Sequence, residues 1–203
     1  EVKDALGYLR LIANRQDDAA FERIVNTPTR GIGNTTLIKI RQGAKENATS
    51  LWETAQYFIE QGLLTGRASS AMQQFIDLID TLEASTCESS LSEQVDAVLD
   101  RSTLLAHYQK DRSEKGLSRV ENLSELITAT EQFTVGDDQE SLTPLAAFLS
   151  HVALETGETQ SEEHSDCVSL MTLHAAKGLE FPVVFMTGLE EGLFPHKMAT
   201  EEA

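Results

Sequence analysis

Between residues 2 and 133 apolar side chains return every three or four positions with hardly a break, and that rhythm fixes the fold class. A period of 3.6 residues places such positions on one face of a helix, whereas a strand needs a period of two. Val2, Ala5, Leu6, Leu9 and Ile12 make one stripe, and Ala20, Phe21, Ile24 and Val25 a second. Leu37, Ile40 and Ala44, then Leu51, Trp52, Ala55, Phe58 and Ile59, continue the pattern. A longer stripe runs from Ala68 through Met72, Phe75 and Ile79 to Leu82. Leu91–Leu99, Leu104–Tyr108 and Val120–Phe133 complete the series. The chain is therefore expected to be mainly α, with Trp52 and the phenylalanines in a core.

Punctuation between the stripes supports this reading. Asp17-Asp18 supplies acids at a helix start, Pro28 closes that helix, and Gly62 is a C′ residue ending another. Ser118-Arg-Val-Glu121 reads as a capping box opening a helix, with the loop before it ending at Gly116. Thr143-Pro144 reads as an N-cap with proline at N1. Residues 156–166 hold four acids, a glycine and no apolar side chain, so they read as a linker. The expected boundary divides a helical domain, 1–164, from a short piece, 165–203.

Two features stand out from this scaffold because packing does not require them. The first is Thr29-Arg-Gly-Ile-Gly-Asn-Thr35 between two helical stripes. Two glycines let a backbone approach a ligand closely, and the N–H groups opening the next helix, capped by Asn34 or Thr35, form an anion site. Thr29, Arg30, Gly31, Ile32, Gly33 and Thr35 are the candidate residues, with Lys39 and Arg41 near enough to add charge. Such a site suits a duplex phosphate and carries no base readout. The alternative, a plain tight turn, stays open on these residues alone.

The second feature lies near the C-terminus. Val168–Leu173 and Val183–Met186 are short apolar runs expected to be strands, as in a parallel sheet. The turn between them holds Thr172, His174, Lys177, Gly178 and Glu180, groups that a strand-turn-strand does not need for packing.

Charge first argues against nucleic acid, since the chain carries a formal −17. Residues 1–60, however, hold eight acids and eight bases, so the whole excess lies in 61–203. Local patches decide contacts, and the segment bearing the glycine turn is neutral. A second basic run, Arg101 to Arg119, reads as a solvated face, with a further phosphate contact as the alternative. Cys87 and Cys167 make no disulfide framework, which fits a reducing compartment. His151 and His164 stand apart from other ligands, so no metal site is expected. No apolar run reaches the length of a membrane span.

The string Thr172-Leu-His-Ala-Ala-Lys-Gly-Leu-Glu-Phe-Pro-Val-Val-Phe185, followed by Gly188-Leu-Glu-Glu-Gly-Leu-Phe-Pro195, closely resembles motif V of UvrD-like superfamily 1 DNA helicases. Tyr8–Asn14 through Thr27-Pro-Thr-Arg-Gly-Ile-Gly33 also resembles that family, at the opening of its 2B subdomain. The resemblance implies an all-helical 2B subdomain with a helix-hairpin-helix-like element, followed by a β-turn-β piece of the second RecA-like domain, 2A. It implies duplex contacts at the Gly-Ile-Gly loop. Thr172, His174 and Lys177 would face single-stranded DNA, and Gly178 and Glu180 the nucleotide. For the whole protein it implies a 3′→5′ DNA helicase in DNA repair, using ATP and Mg²⁺, with repair proteins as partners in a bacterial cytosol.

The sequence contains no phosphate loop of the G-x-x-x-x-G-K-[ST] kind, so it reads as an excised fragment that is inactive alone. Residues 165–203, lacking sheet neighbours, are expected to be disordered or to form a non-native dimer. Two other readings stand beside the helicase: an acidic helical protein-docking module, and part of a related helicase–nuclease subunit.

Overall fold

Short polar side chains start most of the helices, and apolar stripes hold them together. The computed structural model describes residues 1–64, 66–136, 141–156, 168, 170–172, 176–177 and 179–187. The backbone divides into two compact units, Glu1–Glu158 and Thr159–Ala203.

Among the described residues the first unit contains α1 (Val2–Ala13), α2 (Asp18–Ile24), α3 (Asn34–Asn47), α4 (Leu51–Glu60) and α5 (Gly66–Thr86). It continues with α6 (Leu91–Arg101), α7 (Leu104–Gln109), α8 (Glu114–Gln132) and α9 (Pro144–Thr156). Asp17 caps α2 by accepting from the Ala20 N–H at 2.9 Å. Ser50 and Glu53 form a reciprocal capping box on α4, as do Ser90 and Glu93 on α6. Thr143 accepts from Ala146 N–H at 3.2 Å at the head of α9. Gly62, at φ 64°, ends α4 with the paired bonds of a Schellman motif: its own N–H to Ile59 O and that of Leu63 to Phe58 O.

Two helix starts differ from the sequence expectation. The helix assigned to Ser118 begins at Glu114 instead, capped by Ser113. Ser113 accepts from the Gly116 N–H at 3.2 Å, and Gly116 fits inside that first turn because a Cβ there would collide with the Asp111 carbonyl oxygen. At α3 the cap position falls on Gly33, not Asn34 or Thr35, and no side chain caps the helix.

The core gathers around α1, which packs against α2, α5, α6, α8 and α9. Phe21, Trp52 and Phe75 meet edge to face at its centre, with centroids 5.7–6.5 Å apart. Polar groups tie the rim. Asp4 accepts from the Tyr108 hydroxyl and pairs with Arg23 at 2.8 Å, joining α1, α2 and α7. Arg15 lies over Trp52, donates to the carbonyls ending α1, and pairs with Asp80 and Glu83 on α5. Burial pushes the Tyr108 hydroxyl well above the usual tyrosine range, and the Asp4 carboxylate adds to that shift.

In the second unit the two expected strands are not formed among the described residues. Val168, Leu170 to Thr172 and Val184 to Thr187 carry no regular structure. Their apolar side chains face solvent: Val168 is 96% exposed, Leu170 88% and Phe185 89%. A strand exists only where another backbone satisfies its N–H and C=O groups, and no described residue supplies that ladder.

Candidate nucleic-acid interface

The Gly-Ile-Gly segment leaves α2 and enters α3, and its residues sort sharply into inward and outward. Ile32 is buried at 1% exposure and joins the core. Thr29, Gly31, Gly33, Asn34 and Thr35 are exposed. Gly31 sits at φ +82°, a conformation an L-residue adopts at a cost, so glycine is required there by the backbone. Gly33 has φ −77°, and a Cβ on it would meet nothing within 4 Å. The fold thus gives no reason for glycine at 33, and a positive φ belongs to Gly31 alone.

Arg30 has a different environment from the one its charge suggests. Its guanidinium donates to the carbonyls of Ile24 at 2.9 Å, Thr27 at 3.2 Å and Pro28 at 3.3 Å, and to the Tyr8 hydroxyl. It lies over the rings of Tyr8 and Phe75, 5.7 and 5.3 Å from their centroids. Tyr8 in turn donates to Thr27 O at 2.6 Å. Burial raises the Tyr8 hydroxyl above its ordinary range, with the Arg30 charge opposing that rise. Arg41 is ion-paired with Glu22, while Lys39 is exposed.

The cation beside the turn comes from elsewhere in the chain. A Cβ on Gly31 would lie 4.0 Å from Nε of Arg67, in the first turn of α5. Arg67 is exposed, and among the described residues no hydrogen bond or ion pair engages its guanidinium. Sequence reasoning missed it because 36 positions separate it from Gly31. One signal was available: a cation in the first turn of a helix opposes the macrodipole, so a role outside the helix is the natural question.

α2 packs on α1 and α4, and α3 on α4. The helix-hairpin-helix likeness therefore rests on the sequence of the turn. In the basic run Arg119 faces Glu1 at 3.9 Å and Asp111 at 3.7 Å and lies over Tyr108, while Arg101 donates to Ser85.

Of the C-terminal candidates, Thr172, Lys177 and Glu180 are exposed, and His174 and Gly178 lie outside the described residues. Ala176 N–H donates to Thr172 O at 3.0 Å and Leu179 N–H to Ala176 O at 3.0 Å, so consecutive turns bring Thr172, Lys177 and Glu180 onto one loop. No group of three His, Cys, Asp or Glu side chains able to hold a metal occurs among the described residues.

The chain belongs to the UvrD-like helicase C-terminal domain family, which matches it over residues 1–203. DNA helicase II of Escherichia coli (strain K12) is 54% identical over 202 residues, covering 100% of this chain and 28% of that protein. DNA helicase II of Salmonella typhimurium is 54% identical over the same span and shares. ATP-dependent DNA helicase PcrA of Bacillus subtilis is 38% identical over 205 residues, again 100% of this chain and 28% of the relative. The chain thus spans little more than a quarter of the length of these curated relatives.

Proposed function

We propose that this chain is part of an ATP-dependent 3′→5′ DNA helicase, holding duplex DNA through the Gly-Ile-Gly turn and carrying motif V. In this reading residues 1–164 are the 2B subdomain and 165–203 a portion of the RecA-like 2A domain. The observation that carries the duplex contact is the division of the turn. Ile32 is locked into the core, while Thr29, Gly31, Gly33 and Thr35 face outward at the uncapped head of the 14-residue helix α3. Thr36 and Leu37 donate to the Gly33 carbonyl, which leaves the N–H groups of Asn34 and Thr35 as the donors offered to a phosphate. The Arg67 Nε would lie 4.0 Å from a Cβ on Gly31, and among the described residues nothing engages its guanidinium. Contacts of this kind hold the sugar-phosphate backbone and read no bases.

Motif V would connect that grip to the motor. Thr172, His174 and Lys177 are proposed to meet the single strand, and Gly178 and Glu180 the nucleotide. The fit to ATP within this chain is partial: Glu180 is an exposed carboxylate able to accept from a ribose hydroxyl, and no phosphate loop accompanies it. ATP and Mg²⁺ are accordingly proposed for the whole protein, together with repair partners and a cytosolic location. No helix among the described residues is long and apolar enough to cross a membrane.

Gly33→Val tests the reading. The fold leaves space for the side chain, so thermal stability should hold. A phosphate would meet the added methyls, so duplex affinity in an electrophoretic shift should fall. Unchanged affinity would make the turn merely structural.

A further inference from the structure

Arg30 is the residue that sequence alone assigns to the phosphate, and its surroundings argue otherwise. A guanidinium that contacts DNA must reach out from the turn. That of Arg30 points back beneath it, between Tyr8 of α1, the carbonyls at the end of α2 and the face of Phe75 on α5. The Ile24 carbonyl is an acceptor that α2 leaves over at its C-terminus, where a cation is favoured, and those of Thr27 and Pro28 belong to the loop that follows. The planar fork of arginine can meet several acceptors while stacking on a ring, which an ammonium cannot do. The backbone of the same residue is fixed too, its N–H donating to Asn26 Oδ1 at 2.8 Å.

We infer that Arg30 is a positioning residue, an internal bracket that sets the outward angle of the Gly-Ile-Gly turn and makes no phosphate contact of its own. It joins three helices at one point: α1 through Tyr8, α2 through Ile24, and α5 through Phe75. The exposed groups of the turn flank it, Thr29 on one side and Gly31 on the other. The inference rests on the duplex-binding reading of that turn, and its test separates the two.

The test compares Arg30→Lys and Arg30→Gln in the full chain, measuring affinity for a mixed-sequence DNA duplex across a salt series. A direct phosphate contact would tolerate lysine, which keeps the charge, while glutamine would make the dependence of log affinity on log salt shallower by about 0.9. An internal bracket gives another pattern. Both variants weaken binding alike, by roughly tenfold, the scale of one lost hydrogen bond to a charged group. Both also keep the wild-type salt slope. Wild-type affinity in Arg30→Lys, or a shallower slope in Arg30→Gln, overturns the inference.

Amide hydrogen exchange supplies a readout independent of DNA. Residues 25, 27 and 30 each donate a backbone hydrogen bond at the turn. Their exchange should quicken in both variants while the amides of α6 and α8 keep their rates. Unaltered exchange at those three positions overturns the bracket. Tyr8→Phe removes only the hydroxyl partner and serves if the Arg30 variants fail to fold. It should quicken the same amides by a smaller factor, and no change would count against the inference. If the wild-type chain binds no duplex, the proposed function fails, and exchange alone decides the role of Arg30.

Discussion

The glycine turn and the C-terminal loop are equally conspicuous in sequence and opposite in how they are held. Around the turn, every inward group has a partner within the helical unit: Ile32 in the core, Arg30 on five oxygens, Tyr8 on Thr27. Along residues 168–187, the described apolar side chains stand in solvent, from Val168 to Met186. One region carries its own support; the other consists of strand-forming residues without a ladder. A motif's legibility in sequence therefore says what chemistry it serves, not whether the chain around it supplies the scaffold.

The comparison can be broken most forcefully at Phe75. This ring packs on Phe21 and Trp52 and lies under Arg30. Phe75→Ala should destabilise the helical unit by about 3–5 kcal/mol, the range for deleting a buried aromatic ring. Chemical denaturation followed by circular dichroism measures it, and a loss near zero would mean the turn is not tied to the core as described.

A smaller effect comes from acid. The Glu53 carboxylate is held below its ordinary range, first by the Gln16 side chain and then by the Ser50 N–H. Glu93 is lowered likewise by the Ser90 N–H. A depressed folded pKa gives stability that is present above the unfolded carboxylate value of about 4.5 and lost as pH falls through the folded one. Glu53→Gln and Glu93→Gln should therefore flatten the fall of melting midpoint below that pH. A wild-type acid limb in both variants would show that the capping boxes do not carry it.

The smallest expected effect sharpens the comparison from the other side. Ending the chain at residue 164 should leave the melting midpoint unchanged, because the described core residues run from Val2 to Val152. Light scattering should find self-association in the full chain and a monomer in the shortened one, since exposed apolar strand-formers seek a substitute ladder. A fall in midpoint, or a monomeric full chain, contradicts this.

How much of this was legible in the sequence depended on distance along the chain. Helices came through because a stripe such as Met72, Phe75 and Ile79 encodes its period locally. Their starts came through less well. Ser118 looked like a cap, but the cap is Ser113, which accepts from the Gly116 N–H at 3.2 Å. In the turn, adjacency along the chain does not say where an arginine points. Arg30, adjacent in sequence, is turned inward to the carbonyls of Ile24, Thr27 and Pro28, and Arg67 arrives beside Gly31 only through the fold. Among the described residues the strands expected at 168–173 and 183–186 are not formed, because β pairing is a property of neighbours that apolar residues do not themselves provide.

The salt dependence of duplex binding by Arg67→Gln tests the central claim most directly. If the turn holds DNA by its phosphates, the wild-type chain binds duplexes of unrelated sequence alike, and log affinity falls linearly with log salt. Removing the Arg67 charge should make that line shallower by about 0.9, the expectation for one phosphate contact. A variant line that coincides with the wild type, or a wild-type chain without duplex affinity at low salt, would contradict the account.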